Sequence, residues 1–413
     1  MLAELKKTTI DTANSLSICM VSDDFLPSAT GVGSHLQVVA AELAKRGHQV
    51  AVITARQPNQ PQFEIWQGVR IYRTRTIKLF GFYQAMPSVA DVKKILDEVK
   101  PDRIHYHYLS FLLLRVLKIS LKMGIPSVYT YHMSEVVLTQ PWCMRPFRSI
   151  IAKKIVSSCN QFDHIISVSK NLANKLPKTG IKKPITYISN PIIFSSKNDF
   201  VVNKKSENFT ILFAGRLDPE KNIPYLFRAF KKLLETKPEA KLLIAGRGTQ
   251  LNNLEKLSVE LGIQNKITFL GFLTHEALSK YYASCDVFVL PSIFETQGLV
   301  AMEAMWFGKP VIVTDQIVSA EELVDHGING YIVKASSYND LAHRLQTLAN
   351  DPVLRAKMGE AGRERAKDYQ PEIVMDALES VYQLVDKKQA KNKATLENHE
   401  LQGFAQRELS YSK

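Results

Sequence analysis

Apolar positions along the chain fall into short runs separated by stretches of helical spacing. Ser17–Ser22 reads as a first strand, and Asp23–Gly33 as a loop containing Pro27, Gly31 and Gly33. His35–Arg46 then places Leu36, Val39, Ala40 and Leu43 on one helical face, Gly47 ends that helix, and Val50–Thr54 is a second strand. The same alternation predicts strands at Val69–Arg73, Arg103–His107, Ser127–Tyr131, Asp163–Val168 and Ile185–Ser189. Helices are expected at Val92–Val99, Leu112–Met123 and Lys170–Leu176. Strand, loop, helix and strand in succession predict a parallel α/β sheet with ligands at the C-terminal ends of its strands.

Ser195–Asn208 is polar and lacks apolar periodicity, so a linker is placed there. A second alternation follows, with strands at Thr210–Ala214, Lys241–Ala245, Ile267–Leu270, Val287–Leu290, Val311–Val313 and Gly330–Val333. Its helices are expected at Ile223–Thr236, Gln250–Leu261, His275–Ala283, Gly298–Phe307, Asn339–Ala349 and Pro352–Lys367. The pattern divides the chain into domains at residues 1–200 and 201–370, with a polar tail from Asp386 to Lys413.

A length of 413 residues suits two domains that each bury a core. Arg115, Lys118 and Lys122 interrupt the apolar run Phe111–Met123 before it could span a bilayer, and Met1–Ser15 has no apolar signal core. Four scattered cysteines argue against a disulfide framework or a zinc site, and the reading is a cytoplasmic protein. The net charge of +13 lies entirely in residues 1–200, which hold 26 Lys and Arg against 13 Asp and Glu. Such asymmetry points to nucleic acid, an anionic membrane or an acidic substrate. In Pro146–Ser158 the apolar Phe147, Ile150, Ile151, Ile155 and Val156 fall at helical spacing, and Arg145, Arg148, Lys153 and Lys154 crowd the same stretch. That stripe could pack on the core or lie on an anionic bilayer, and the basic half of the chain tips the reading toward the bilayer.

The densest candidate chemistry lies in residues 286–315. N–H groups around Gln297, Gly298 and Leu299, at the positive end of a helix, make an anion site, and Gly298 permits close backbone approach. Glu295 before that helix and Glu303 within it are suited to accept hydrogen bonds from sugar hydroxyls; otherwise they are solvated helix carboxylates. Gly215-Arg216 and Lys221 share one strand-end loop, and a cation pair so spaced can reach a pyrophosphate from two sides unless the loop is simply a solvated turn. His132 follows a strand directly, the position of an active-site residue in a parallel sheet. His105 and His107 alternate onto one face of their strand. Gly31-Val32-Gly33 is not a full dinucleotide fingerprint.

The ordered set Gly31, His132, Gly215-Arg216, Lys221, Gly246-x-Gly248 and Glu295-x7-Glu303, followed by Gly308-Lys309-Pro310-Val311, resembles the family 4 retaining glycosyltransferases. The resemblance runs from about residue 17 to about residue 385. It implies a GT-B fold, with two Rossmann-like domains facing across a cleft, a segment 371–413 whose helix returns to the first domain, and no metal requirement. Carried onto this chain, Arg216 and Lys221 hold the donor diphosphate, Glu303 accepts from the ribose hydroxyls, and Glu295 contacts the transferred hexose. Gly298 and Leu299 offer backbone N–H groups, Gly31 gives the diphosphate and acceptor room, Gly215 and Gly246 join the donor-binding set, and Leu270–Leu273 bound the base. His132 lies beside the anomeric centre. No carboxylate is an evident nucleophile, which favours front-face attack.

Within the family, Glu295-Thr296-Gln297-Gly298-Leu299, Tyr129-Thr130-Tyr131-His132 and Cys159-Asn160-Gln161-Phe162-Asp163 resemble the branch that glucosylates diacylglycerol. Asn190-Pro191 stands where the family usually has Asn-Gly, and Arg247 where it often has an acid. The implied activity is transfer of a hexose from a nucleotide sugar, UDP-glucose foremost, to a lipid at the cytoplasmic membrane face, with no cofactor. The rivals are a lipopolysaccharide or other envelope acceptor, or GDP-mannose as donor. From other classes come an inert scaffold and a nucleic-acid binder, the latter without any recognisable nucleic-acid motif.

Overall fold

The computed structural model describes residues 15–27, 31–79, 82–107, 109–132, 147–193 and 208–385. The chain divides into two compact units. The first comprises Met1–Ser167, Lys175–Ile188 and Met375–Lys413; the second comprises Val168–Asn174 and Ser189–Val374. Residues 195–207 of the expected linker and the expected tail lie outside the described residues.

The first unit is built on eight strands: β1 (Ser17–Val21), β2 (Gln49–Ala55), β3 (Phe63–Trp66), β4 (Val69–Thr74), and, after a β5 (Thr76–Leu79) and β6 (Phe82–Ala85) hairpin, β7 (Arg103–Tyr106), β8 (Ser127–Tyr131), β9 (His164–Ser167) and β10 (Ile185–Tyr187). They lie in the order β10-β9-β8-β7-β1-β2-β4-β3, parallel except for β3 against β4. The central strands bury every residue of Val50–Ala55, Arg103–Tyr106 and Ser127–Tyr131, as strands covered on both faces do, polar Arg103, His105 and Thr130 included. β3, β5 and β6 were not anticipated. β3 turns into β4 through Gln67 (φ 47°) and Gly68 (φ 81°), a two-residue hairpin connection whose signal was a single glycine.

The first helix spans Gly31–Lys45, so Gly31 and Gly33 sit in its first turn rather than in the loop expected to run to Gly33. The basic helix is found at Arg148–Cys159 and buries only Ile155, Ser158 and Cys159. Core packing is thus confined to its C-terminal half, and Phe147 and Ile150 are 52% and 64% exposed. Residues 371–385 are helical, and from Met375 onward they belong to the first unit. There Glu379 accepts from His48 Nε2 at 3.1 Å and Tyr382 Oη meets His105 Nδ1 at 2.8 Å. Arg103, fully buried, donates to the Tyr382 carbonyl.

The second unit holds six strands, β11 (Thr210–Ala214), β12 (Lys241–Ala245), β13 (Ile267–Gly271), β14 (Val287–Leu290), β15 (Val311–Thr314) and β16 (Gly330–Val333). All are parallel, in the order β13-β12-β11-β14-β15-β16. Counted within the unit this is 3-2-1-4-5-6, the dinucleotide-fold order. The helix Ile223–Leu234 shows why the sheet is covered. It buries Ile223, Tyr225, Leu226, Phe227, Ala229, Phe230 and Leu233, one face at three- and four-residue spacing. Each large side chain so buried contributes about 2 kcal/mol before chain entropy is counted.

Candidate functional site

In a sheet of this order the chain leaves β11 and β14 in opposite directions, and the gap beyond their C-terminal ends is where such folds bind ligands. The loops that open there are Gly215–Asn222 after β11 and Pro291–Gly298 after β14. They hold five of the predicted residues, Gly215, Arg216, Lys221, Glu295 and Gly298, and the backbone joins them directly, since Ile293 N–H donates to the Glu220 carbonyl at 2.9 Å. The Lys221 ammonium forms an ion pair with the Glu295 carboxylate, both side chains being largely covered. Arg216 lies in the same loop, 60% exposed, paired with Asp218 at 2.8 Å and Glu220 at 2.5 Å. Exposed pairs of this kind are worth little, so Arg216 can be drawn onto an anionic ligand at small cost.

Glycine shapes the floor of this gap. Gly246 (φ +143°) follows β12, and a Cβ there would stand 1.8 Å from the Gly215 carbonyl oxygen. The loops after β11 and β12 pass with backbone against backbone, held by Gly215 N–H to Ala245 at 3.0 Å and Leu217 N–H to Arg247 at 2.9 Å. Gly246→Ala therefore destabilises the second unit by about 2–4 kcal/mol and displaces the Arg216 loop. Urea unfolding should show that loss as a lower midpoint with the slope retained.

Gly298 (φ +72°) is the N-cap of the helix Leu299–Trp306, and no side chain caps it. The expected helix start is thus one residue later, and the positive end of the helix dipole opens beside Glu295. The loop before it is clamped from both sides. Val318 N–H donates to the Glu295 carbonyl and Ser319 Oγ to the Gln297 carbonyl, each at 2.9 Å. Gln297, 3% exposed, accepts from Asn190 N–H at 3.1 Å and donates to Ser189 Oγ. Sequence reasoning used only the Gln297 backbone and missed this side chain, which ties the start of the second unit to the loop. Its signal was a glutamine next to the helix-start glycine.

Glu303 lies in the body of that helix, 3% exposed, with its Oε2 accepting from Tyr282 Oη at 2.8 Å. Burial pushes its pKa up to about 7, against the lowering effect of the tyrosine bond. A carboxyl held this way is only partly ionised near neutral pH. The solvated-glutamate alternative is excluded by that burial. Leu270, half-buried at the end of β13, packs on the core of the second unit, and Phe272 beyond it is 53% exposed.

His132 and Gly31 belong to the first unit. His132 follows β8 and is 6% exposed, with Nε2 3.3 Å from His107 Nδ1. The His35 ring stands edge-on to His132 at 4.9 Å between centroids. Burial holds both His107 and His132 well below the ordinary histidine pKa, and their histidine neighbours add to it.

Comparison with known proteins agrees with this architecture. Residues 29–195 match the family described as Glycosyltransferase Family 4, and residues 194–365 match Glycosyl transferases group 1. An uncharacterized glycosyltransferase of Methanocaldococcus jannaschii is 32% identical over 356 residues, covering 81% of this chain and 90% of the relative. The chain belongs to the family 4 glycosyltransferases. This glycosyltransferase is also 26% identical to the alpha-monoglucosyldiacylglycerol synthase of Streptococcus pneumoniae, over 78% of each chain. Its fold is GT-B. Sucrose-phosphate synthase from Thermosynechococcus elongatus superposes with a TM-score of 0.75 at 23% identity, over 90% of this chain and 99% of the other. Anabaena HepE in complex with UDP and glucose gives 0.71 at 20%, over 89% and 99%.

Proposed function

We propose that this glycosyltransferase moves a hexose, with retention, from a uridine diphosphate sugar of the glucose class to a membrane lipid such as diacylglycerol. One observation carries the reading more than any other. At the β11–β14 switch point a nearly buried lysine, a movable arginine and an uncapped helix N-terminus converge. Drawn from their carboxylate partners, the two cations and the helix N–H groups match a departing diphosphate, whose charge grows as the glycosidic bond breaks. Glu303 suits a ribose diol, and Glu295 exchanges its lysine partner for hexose hydroxyls once the phosphates engage Lys221. With no evident carboxylate nucleophile, the departing phosphate oxygen would take the acceptor's proton on the same face of the sugar. His132 is assigned to the sugar and acceptor side, and no metal is required for the donor phosphates.

The acceptor class is supported by the relative that carries a diacylglycerol sugar-transfer name and by the surface of the first unit. Phe147 and Ile150 are exposed on the helix that also carries Arg148, Lys153 and Lys154. A separate cavity lined by Met86, Pro87, Phe111, Leu114, Arg115 and Lys118 combines apolar walls with two cations. Both are surfaces that acyl chains and anionic headgroups favour together. Among the described residues no helix is long and apolar enough to cross a membrane, so attachment at the cytoplasmic face would be peripheral.

The test of the reaction is mass spectrometry of products after offering UDP-glucose, UDP-galactose and GDP-mannose with a total lipid extract. A hexosyl-diacylglycerol formed from a UDP-sugar supports the reading; a product on saccharide alone, or from GDP-mannose alone, overturns that acceptor or donor. Vesicle co-sedimentation checks the surface. Binding to phosphatidylglycerol vesicles should be strong at low salt, weaken as salt rises, and fall several-fold in Phe147→Glu/Ile150→Glu. Absence of binding at low salt contradicts the membrane assignment.

A further inference from the structure

The loop that carries Glu295 is held from the neighbouring strand's exit. After β15, residues 317–319 run alongside it, with a parallel bridge between Ile317 and Glu295 and the two bonds from Val318 and Ser319 already described. We propose that Glu322 and Asn171 are positioning residues for sugar transfer, bracing this segment so that Glu295 is fixed in place, on the reading that Glu295 meets the transferred hexose.

Both oxygens of the Glu322 carboxylate are engaged. Oε1 accepts from Ser169 Oγ at 2.6 Å and from Asn171 N–H at 2.8 Å, and Oε2 accepts from Lys170 N–H at 2.9 Å. Hydrogen bonds to an ionised carboxylate are among the strong ones. The Glu322 backbone is tied as well, its carbonyl accepting from Arg365 Nη2 at 2.7 Å and from Tyr369 Oη at 3.2 Å. Asn171 completes the brace, because its Nδ2 donates to the Val318 carbonyl at 3.0 Å. Val318 is therefore bonded through both its backbone groups, the N–H on Glu295 and the carbonyl on Asn171.

A simple helix cap does not need Glu322. The donors at residues 169–171 open the short helix Lys170–Lys175, and Ser169 already serves that end locally, its Oγ accepting from Leu172 N–H at 3.3 Å. Elsewhere in the chain Ser88 and Ser110 cap their helices by that local bond. A carboxylate 153 positions from Ser169 adds nothing such a cap lacks, but it anchors the far end of the segment that holds Glu295. Displacing a group that must meet the substrate by about 1 Å costs on the order of a hundredfold in rate.

The test is a mutant cycle in the full chain. Glu322→Gln keeps the side-chain volume but turns one accepting oxygen into an amide that faces a donor. It should lower kcat for turnover of UDP-glucose with a total lipid extract by about ten- to a hundredfold. In a Glu295→Ala background the same change should cost less than about threefold, because the group being positioned is gone. A purely structural role would lower both backgrounds alike. Asn171→Ala, which leaves the Glu322 carboxylate and its backbone bonds in place, should repeat the pattern at smaller size and covers the case in which Glu322→Gln does not fold. Hydrogen exchange of the amides of residues 317–324, Val318 N–H among them, reads the brace without any turnover and should be several-fold faster in both variants. Exchange equal to that of the unmutated chain overturns the proposal, as do kinetic losses that multiply across the cycle. Faster exchange with Glu295→Ala fully active overturns the hexose assignment of Glu295 instead, with Glu322 still bracing its loop.

Discussion

Lys221→Ala lowers kcat/KM for sugar transfer by about a hundred- to a thousandfold, the cost of removing one preorganised partner of a developing anion. The size follows from how Lys221 is held. Its side chain is 12% exposed and ion-paired with Glu295, so the ammonium is already placed when the donor arrives. Folding stability should fall by about 1–3 kcal/mol as well, since both side chains are largely covered and Glu295 is left without its partner. Arg216→Ala is expected to cost less in kcat and more in donor affinity, because Arg216 is exposed and must first leave Asp218 and Glu220. Arg216→Lys keeps the charge but loses the two-pronged contact and should recover only part of the loss. Steady-state kinetics of donor hydrolysis and of transfer would check both. Hydrolysis unchanged in Lys221→Ala removes that residue from the mechanism.

The second large effect concerns Glu303 and pH. Its folded pKa of about 7 lies above the ordinary value of 4.5, because burial disfavours the charged form. The stabilising contribution is therefore complete below about pH 4.5 and is lost as pH rises through about 7. At about 1.4 kcal/mol per pH unit, the full effect approaches 3 kcal/mol in order of magnitude. Glu303→Gln, which cannot ionise, should remove this part of the pH dependence, so its stability relative to the unmutated chain improves between about pH 5 and pH 8. Binding of the ribose favours the ionised carboxylate, so the sign for ligand is opposite. The Kd for UDP should tighten by about tenfold from pH 6 to pH 8, and the Glu303→Gln variant should show weaker and nearly pH-independent binding. Calorimetric titration at three pH values would show it; a Kd for the unmutated chain that is flat across that range contradicts the ribose assignment.

Much of the architecture was legible in the chain because its central strands are buried on both faces and therefore read as unbroken apolar runs. Val287–Leu290 and Thr210–Ala214 are of this kind, and both strands end where they were placed. What escaped were elements whose order comes from pairing rather than composition. Phe63–Trp66 is an edge strand with Phe63 and Ile65 exposed, so no buried face marked it. For the basic helix the spacing left core and bilayer as alternatives, because helical spacing of apolar residues does not say which end reaches the core; only its C-terminal half does.

The candidate site divides in the same way. Gly298, Glu295, Lys221 and Arg216 were visible because loop chemistry after a strand is constrained by residue type. Lys221 and Glu295 proved to be direct partners, a contact between residues 74 positions apart that spacing alone does not reveal. The Tyr282 bond to Glu303 and the Gln297 bonds to Ser189 and Asn190 were also hidden, since each joins separate elements. His35 was read as a helix residue only, because its histidine neighbours come from two distant strands.

The most direct measurement is a crystal structure of the chain with UDP. The account predicts the diphosphate against Lys221, Arg216 and the N–H groups of Gly298 and Leu299, with the ribose hydroxyls on the Glu303 carboxylate. Nucleotide density elsewhere on the second unit, or a ribose turned away from Glu303 with Lys221 still paired to Glu295, would contradict it.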